Sequence, residues 1–325
     1  MTGVVRVHET GGPEVLRFEQ VEIGPPGPGQ ALIRQTAVGL NFIDVYYRSG
    51  LYPPPGLPFI PGLEGAGVVE AVGDGVTEVE VGQRVAYAGP PIGAYAERRL
   101  MAADRLVAIP DGVSDEQAAA MMLKGMTAHY LLRRTFRVQA GQTILFHAAA
   151  GGVGLIACQW ARHLGATVIG TVGSEAKAEL AKAHGCAHPI RYDREDVVAR
   201  VRELTGGKGV PVVYDSVGQA TFERSLDCLA PLGMMVSFGQ SSGKVPPLDT
   251  GILAQKGSLF LTRPSLMHYT AARADLVAAA NELFDVVRSG AVQILVNRRY
   301  PLREAADAHR ALEGRQTTGS TVLLP

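Results

Sequence analysis

The 325 residues, 46% of them hydrophobic, suffice for two domains with separate cores. Acidic and basic residues cancel, 31 against 31, so no overall field draws the chain to nucleic acid or to an anionic membrane. No apolar run approaches a membrane span, Met1-Thr2-Gly3-Val4 enters strand-like sequence without a signal peptide, and Cys158, Cys186 and Cys228 show no C-x-x-C spacing; a cytoplasmic protein lacking a disulfide framework and a cysteine zinc site is expected.

Residues 1–123 read as β-rich. Short runs at Val4–His8, Ala31–Val38, Ala66–Val72, Arg84–Ala88 and Arg105–Ile109 are separated by turn signals such as Gly11-Gly12-Pro13 and Gly73-Asp74-Gly75. From 143 onward strand and helix alternate: strand 143–147, helix 152–164, strand 167–172, helix 174–184 ended by Gly185, strand 188–192. A helix from about 194 to 204 follows with Asp193 as N-cap, then strand 210–215, helix 219–229, strand 233–239 and strand 257–262. Six strands with crossover helices predict an α/β, doubly wound parallel sheet. An amphipathic helix, 273–288 (Leu276, Ala279, Ala280, Leu283, Val287), leads into a polar tail with strand-like ends. The expected division is a first domain of 1–123, completed by the returning tail 293–325, and a second of 124–292.

The most informative segment is TILFHAAAGGVGLIACQWARHL, residues 143–164. Thr143–Phe146 suit a buried parallel strand. Ala149-Ala150-Gly151-Gly152-Val153-Gly154 matches G/A-x-G-x-x-G with Ala149 in the first glycine slot, and Val153, Ile156, Ala157, Trp160, Ala161 and Leu164 form one helix face. Small residues let a pyrophosphate approach the backbone, and the helix N-terminus offers unpaired N–H groups and partial positive charge. Such a turn between strand and helix predicts dinucleotide binding through Gly151, Gly152, Val153 and Gly154; a merely tight turn is the plainer alternative.

An NAD-preferring sheet places an acidic residue at the end of the second strand, on the ribose 2′-OH. Here that position falls on Gly173 or Ser174, with Lys177 one turn on and Tyr192 closing the next strand. A small residue, a hydroxyl and a cation accept a 2′-phosphate, so NADPH is the expected cofactor. Glu175 complicates this, one residue beyond the usual acidic position, and Lys177 also reads as an ordinary helix-surface lysine.

Behind its β-rich first half, the chain resembles the zinc-independent quinone oxidoreductases of the medium-chain dehydrogenase/reductase superfamily, the branch that includes zeta-crystallin and the bacterial NADPH:quinone reductases. The resemblance spans essentially the whole chain. It rests on Gly11–Leu16, Asn41–Tyr52, Pro61–Gly67, Lys124–Ala128, Ala148–Gly154, Val213–Gly218 and Ser237–Gly239. It implies a GroES-like β-rich catalytic domain beside the Rossmann domain, and a homodimer. Where zinc alcohol dehydrogenases of that superfamily place a cysteine ligand this chain has Asn41, and their Gly-His-Glu is Gly62-Leu63-Glu64; the four-cysteine lobe is missing too. No metal is therefore expected, and without a Lewis acid alcohol oxidation is disfavoured. Hydride delivery to an electron-poor acceptor, a quinone or conjugated enone, needs less help.

The same resemblance puts Asn41 and Tyr46 near nicotinamide and substrate. Asn41 then bonds cofactor or acceptor, or only shapes its loop; Tyr46 and Tyr52 stack on a flat quinone or seal the cleft as aromatic core. Asp44 and Arg48 are expected to hold the loop. Thr127 and Tyr130 follow Lys124, itself readable as a helix-start lysine, in a region the family uses for the cofactor. Ser216 and Val217, and then Phe238, Gly239 and Ser241, sit at strand ends where α/β sheets bind ligands. Arg263, Pro264 and Ser265 follow the last strand and close over the cofactor in this reading, with Arg315 a weaker candidate. His147 reads as a hydrogen-bonded strand-end residue. No residue reads as a general acid, so solvent is expected to supply the proton. The expected function is NADPH-dependent quinone reduction. An enone or enoyl reductase and, from another class, an RNA-binding or structural zeta-crystallin-like protein are the alternatives, the last opposed by the neutral charge.

Overall fold

A computed structural model describes every residue except Arg315, so the expectation placed on Arg315 lies outside the described residues. The chain forms two compact units.

The first unit comprises residues 1–126, 269–288 and 294–325. Its sheet runs Val296–Pro301, Ser320–Leu324, Gln30–Gly39, Glu64–Val72, Arg84–Ala88 and Val107–Ala108, with Arg98–Ala102 also paired to Gln30–Gly39. The tail strand Ser320–Leu324 pairs antiparallel with Gln30–Gly39, setting Val322 opposite Gly39. Alternation in Gln30–Gly39 sends Ala31, Ile33, Gln35 and Ala37 inward. The one polar member, Gln35, is satisfied by donating to the carbonyls of Ala94 (2.7 Å) and Ala96 (2.6 Å) and accepting from Tyr87 Oη, as a buried amide requires. Val7, Ile33, Tyr87, Tyr95, Leu106 and Leu323 share the core.

The second unit comprises residues 127–268 and 289–293. All six of its strands are parallel, in the order His188–Arg191, Thr167–Val172, Thr143–Phe146, Val210–Asp215, Leu229–Ser237 and Phe260–Thr262. This is the doubly wound order of a dinucleotide-binding sheet, reversing between its third and fourth members, Thr143–Phe146 and Val210–Asp215. Leu145, Ile169, Val213 and Met235 form its core. Packing across the central strands is tight at Gly170, where an added Cβ would lie 2.5 Å from Ala149 Cβ and 2.6 Å from Cys186 Sγ.

Several expected elements shift, each for a local reason. Asp193 does not cap the following helix; Arg191 holds its carboxylate, and Asp196 caps Val197–Leu204 by accepting from Ala199 N at 2.8 Å. The helix expected over 219–229 is only Phe222–Asp227, because Leu229 already pairs opposite Val210. Its successor strand stops at Ser237, where Phe238 N turns back to Asp215 O. The last strand shortens to Phe260–Thr262 because Gly257 and Ser258 take positive φ. Arg105–Ile109 begins as a 3-10 turn, leaving Val107–Ala108 extended. Lys124 does not start a helix but lies inside Asp115–Tyr130. Helix Arg273–Arg288 groups with the first unit, not with the Rossmann domain that chain order gave it: Leu283 packs where a Gly125 Cβ would be, and Arg273 donates to the carbonyls of Asp104 and Leu106.

Gly170→Val is expected to lower stability by about 1–3 kcal/mol through overpacking. Gly206→Ala, in open space at φ 58°, should cost only backbone strain, about 1–2 kcal/mol. Urea midpoints of the two variants check the order.

Candidate active site

In the second unit the turn after Thr143–Phe146 carries the geometry its sequence predicts. Helix Gly152–His163 starts from Gly151, which has extended backbone, and its first N–H groups have no acceptor within the helix. An added Cβ on Gly154 would stand 2.3 Å from Ala148 O, so only glycine lets the helix start pass over the strand end. Ala149 occupies the first glycine slot because Gly170 on the neighbouring strand makes room for its methyl. Ala148 takes φ 54°, a conformation costly for a residue with a Cβ. This cradle fits a dinucleotide pyrophosphate.

At the end of the next strand, Gly173, Ser174, Lys177 and Tyr192 are brought together. The Tyr192 hydroxyl covers Gly173, 2.3 Å from where a Cβ would be. Ser174 caps helix Glu175–Ala183 by accepting from Lys177 N at 3.3 Å. Glu175 is engaged elsewhere: its Oε2 accepts from Arg191 Nη1 at 2.7 Å.

The ends of strands Val210–Asp215 and Leu229–Ser237 are zipped together. Ser241 N donates to Ser216 O (3.1 Å) and Ser242 N to Val217 O (2.8 Å). Gly239 lies so close to Ser216 that a Cβ would meet its carbonyl at 2.6 Å. The guanidinium of Arg263 braces the same edge, Nη1 donating to the carbonyls of Ser237 and Gly239. Phe238 rests its ring 5.7 Å from that of Phe146. Beneath lies a buried relay. Asp215 accepts from Val217 N, Gly218 N, Thr221 Oγ1 and Ser225 Oγ at 2.7–3.0 Å. His147 Nε2 meets Ser225 Oγ and its Nδ1 meets Thr171 Oγ1, both at 2.9 Å. Burial lowers the His147 pKa, and a neutral ring with its proton on Nε2 satisfies every partner. His147 is thus a strand-end structural residue. Thr127 and Tyr130 are buried on helix Asp115–Tyr130; Pro264 and Ser265 follow the last strand.

In the first unit Asn41 is the N-cap of helix Phe42–Arg48. Its Nδ2 donates to Glu64 Oε2 at 2.7 Å, where Lys124 Nζ also lies at 3.2 Å, while Leu123 N donates to Oε1 at 2.7 Å. Glu64 has no exposed surface, and both its oxygens are occupied. Leu63, buried beside it, stands at the imidazole position of the zinc enzymes. An amide, a leucine and a carboxylate already paired with an ammonium do not fit a metal ion.

From Asn41 a second chain of bonds runs outward. Asn41 N donates to Asp44 Oδ2 at 2.9 Å, Tyr95 Oη donates to the same oxygen at 3.0 Å, and Tyr95 meets His309 Nε2 at 2.9 Å. His309 Nδ1 faces Arg48 Nη1 at 3.3 Å, and Arg48 grips Glu313 with two bonds of 2.8 Å. Asp44 and Arg48 thus hold the loop. On the same helix Tyr46 is buried, its ring 5.1 Å from Tyr52, whose own N–H donates to Tyr46 O at 3.0 Å. Asn41, Tyr46 and Tyr52 are therefore assembled around one helix. Sequence reasoning missed the roles of Glu64 and Lys124, and of Tyr95 and His309. Lys124 and Glu64 sat within motifs already singled out, whereas nothing local marks Tyr95 or His309.

Burial raises the Asp44 carboxyl from 3.8 to about 7 and lowers His309 to about 3. The two act in opposite senses. The Asp44 contribution to stability is full below its unfolded value and is lost as pH rises through about 7. That of His309 is full above its unfolded value and is lost as pH falls. Asp44→Asn keeps both accepted bonds but removes the first dependence. Relative to the parent, its thermal midpoint should improve between about pH 5 and pH 8; a constant difference across that range would overturn the assignment.

Comparisons with known proteins show the family. Residues 27–111 match the profile described as the alcohol dehydrogenase GroES-like domain, and 152–284 that of the zinc-binding dehydrogenases. A quinone oxidoreductase of Pseudomonas aeruginosa is 58% identical over 315 residues, 97% of each chain. A 2-haloacrylate reductase of Burkholderia is 49% identical over 98% of each. The crystal structure of Escherichia coli quinone oxidoreductase complexed with NADPH superposes with a TM-score of 0.98 at 50% identity, over 99% of this chain and all of that one. The chain belongs to the quinone oxidoreductase family of the medium-chain dehydrogenase/reductase superfamily.

Proposed function

We propose that this protein is an NADPH-dependent oxidoreductase that reduces quinones by hydride transfer without a metal. The observation that carries the reading is the Asn41–Glu64–Lys124 arrangement. With Asn41 and Leu63 at the zinc-ligand positions and Glu64 already paired with Lys124, no group there supplies a Lewis acid, so the acceptor must be electron-poor by itself. NADPH, when bound, supplies the hydride. The pyrophosphate is assigned to Gly151, Gly152, Val153 and Gly154, and the 2′-phosphate to Gly173, Ser174, Lys177 and Tyr192. Ser216, Val217, Phe238, Gly239, Ser241, Arg263, Pro264 and Ser265, with Thr127 and Tyr130, line the remainder of the cofactor site. Asn41, Tyr46 and Tyr52 orient nicotinamide and acceptor, and solvent supplies the proton. The NADPH complex of the Escherichia coli relative supports the cofactor.

A conjugated enone is the second acceptor class, favoured by the kinship to a 2-haloacrylate reductase. The same hydride chemistry serves both, and kcat/KM measured side by side separates them. We also read the protein as a cytoplasmic homodimer. All three cysteines are free thiols, as a reducing compartment allows, and among the described residues no helix is long and apolar enough to cross a membrane. The edge strand Phe260–Thr262 exposes Phe260 and Leu261, an edge suited to pairing with a second copy.

NADPH oxidation with benzoquinone- and naphthoquinone-type acceptors should exceed the uncatalysed rate and persist in chelator-treated buffer. No turnover with any acceptor refutes the proposal. Lys177→Ala should weaken NADPH binding by about 1.5–3 kcal/mol, the worth of a charge-assisted phosphate contact, while NADH binding stays near the parent value. Calorimetric titration of both nucleotides checks this; equal losses would remove Lys177 from the pocket.

A further inference from the structure

Glu175 stands next to Ser174 and two residues before Lys177, where an unpaired carboxylate would repel a phosphate and favour a ribose hydroxyl. Its side chain is 73% exposed, yet it is held by Arg191, whose own side chain is only 13% exposed. Arg191 ends strand His188–Arg191, directly before Tyr192. Its guanidinium is set by a two-pronged grip on Asp193, Nε to Oδ1 at 2.8 Å and Nη2 to Oδ2 at 2.6 Å. Its backbone N–H donates to Glu195 Oε1 at 2.8 Å. With Nε and Nη2 committed, Nη1 is left to reach Glu175 Oε2 at 2.7 Å. A planar, always-charged fork suits this double task, which a lysine could not perform.

Resting on the assignment of Gly173, Ser174, Lys177 and Tyr192 to the 2′-phosphate, we infer that Arg191 is a specificity-determining residue: it neutralises Glu175 and holds it aside, which lets a chain with an acidic residue beside this pocket still select NADPH over NADH. Arg191 acts through Glu175, as a positioning residue. Removing Arg191 releases two carboxylates, Glu175 and Asp193, next to the pocket. Glu175 then becomes a competitor of the phosphate and an acceptor for a ribose 2′-OH. Because the effect is electrostatic and near the surface, it must fade as salt rises.

The test is calorimetric titration of NADP⁺ and NAD⁺ into the full-length parent, R191Q, E175Q, R191Q/E175Q and K177A, each at low and high ionic strength. R191Q is expected to bind NADP⁺ roughly tenfold more weakly at low salt, with NAD⁺ unchanged or tighter and the NADP⁺ deficit smaller at high salt. Adding E175Q should restore most of the lost NADP⁺ affinity, an outcome that a merely structural role of Arg191 would not produce. E175Q alone should bind NADP⁺ at least as well as the parent, and this arm leaves Arg191 intact should R191Q fail to fold. Equal losses for both nucleotides in R191Q, absence of rescue in the double variant, or weakened NADP⁺ binding in E175Q overturns the inference. If K177A selectively loses NADP⁺ while R191Q does not, the pocket stands and the role of Arg191 falls. If K177A weakens both nucleotides alike, the pocket assignment fails and the inference with it.

Discussion

The arrangement of the first unit depends on one desolvated charge. Glu64 has lost all contact with water, and a carboxylate so placed is tolerable only if paired and fully hydrogen-bonded. The three donors that satisfy it come from an N-capping side chain, a backbone amide inside a helix and the ammonium next to that amide. Gly39 completes the fit, since a Cβ there would lie 2.2 Å from Glu64 Oε2. One carboxylate therefore ties the start of strand Glu64–Val72 to the N-cap of helix Phe42–Arg48 and to helix Asp115–Tyr130. Removing one partner alone would leave an uncompensated charge, which costs more than the pair contributes.

The second unit applies the same principle with amide and hydroxyl donors in place of a cation. Asp215 is buried and saturated by two amides and two hydroxyls, and one of these, Ser225, passes the connection to His147 and on to Thr171. Thr171 Oγ1 also accepts from Ala148 N at 3.3 Å, and Ala148 is the residue with strained backbone in the Gly-rich turn. The turn after Val210–Asp215 and the turn after Thr143–Phe146 are thus tied to one rigid network. Strain of that kind persists only where its surroundings over-determine it, and here the relay beneath the turn does so.

What was legible in the sequence follows from how local each signal is. The Gly-rich turn and the strand–helix alternation are written in spacing and periodicity, so the six parallel strands and the turn that leads from Thr143–Phe146 into helix Gly152–His163 came through. Element ends were less legible, because they are decided by partners distant in sequence: Asp193 looks like a cap until Arg191 claims it, and Leu229 looks helical until Val210 pairs with it. Asn41 and Leu63 were visible as departures at ligand positions. The network joining Asn41 to Glu64 and Lys124, and through Asp44 to Tyr95 and His309, spans residues up to 268 positions apart, and no local pattern encodes it. Glu175 shows the same limit at shorter range. In the sequence it only complicates the cofactor reading, and the Arg191 that pairs with it lies 16 positions on.

Electrostatic economy connects these sites. In the zinc branch a metal ion concentrates positive charge at the reacting centre and carries the polarisation of the substrate. Here the corresponding carboxylate is neutralised by a lysine of the chain itself, and the resulting centre is nearly neutral and closed to cations. On the proposed assignment such a centre orients an acceptor without strongly activating it, so discrimination comes from shape, to which the tilted Tyr46 and Tyr52 rings contribute, and from the electron demand of the acceptor. The second unit instead carries the Glu175–Arg191–Asp193 charge cluster beside the residues proposed for the 2′-phosphate. On that assignment the cofactor is selected by charge and the acceptor by shape and reducibility, which is the division of labour expected when the hydride donor, and no metal, carries the difficult step.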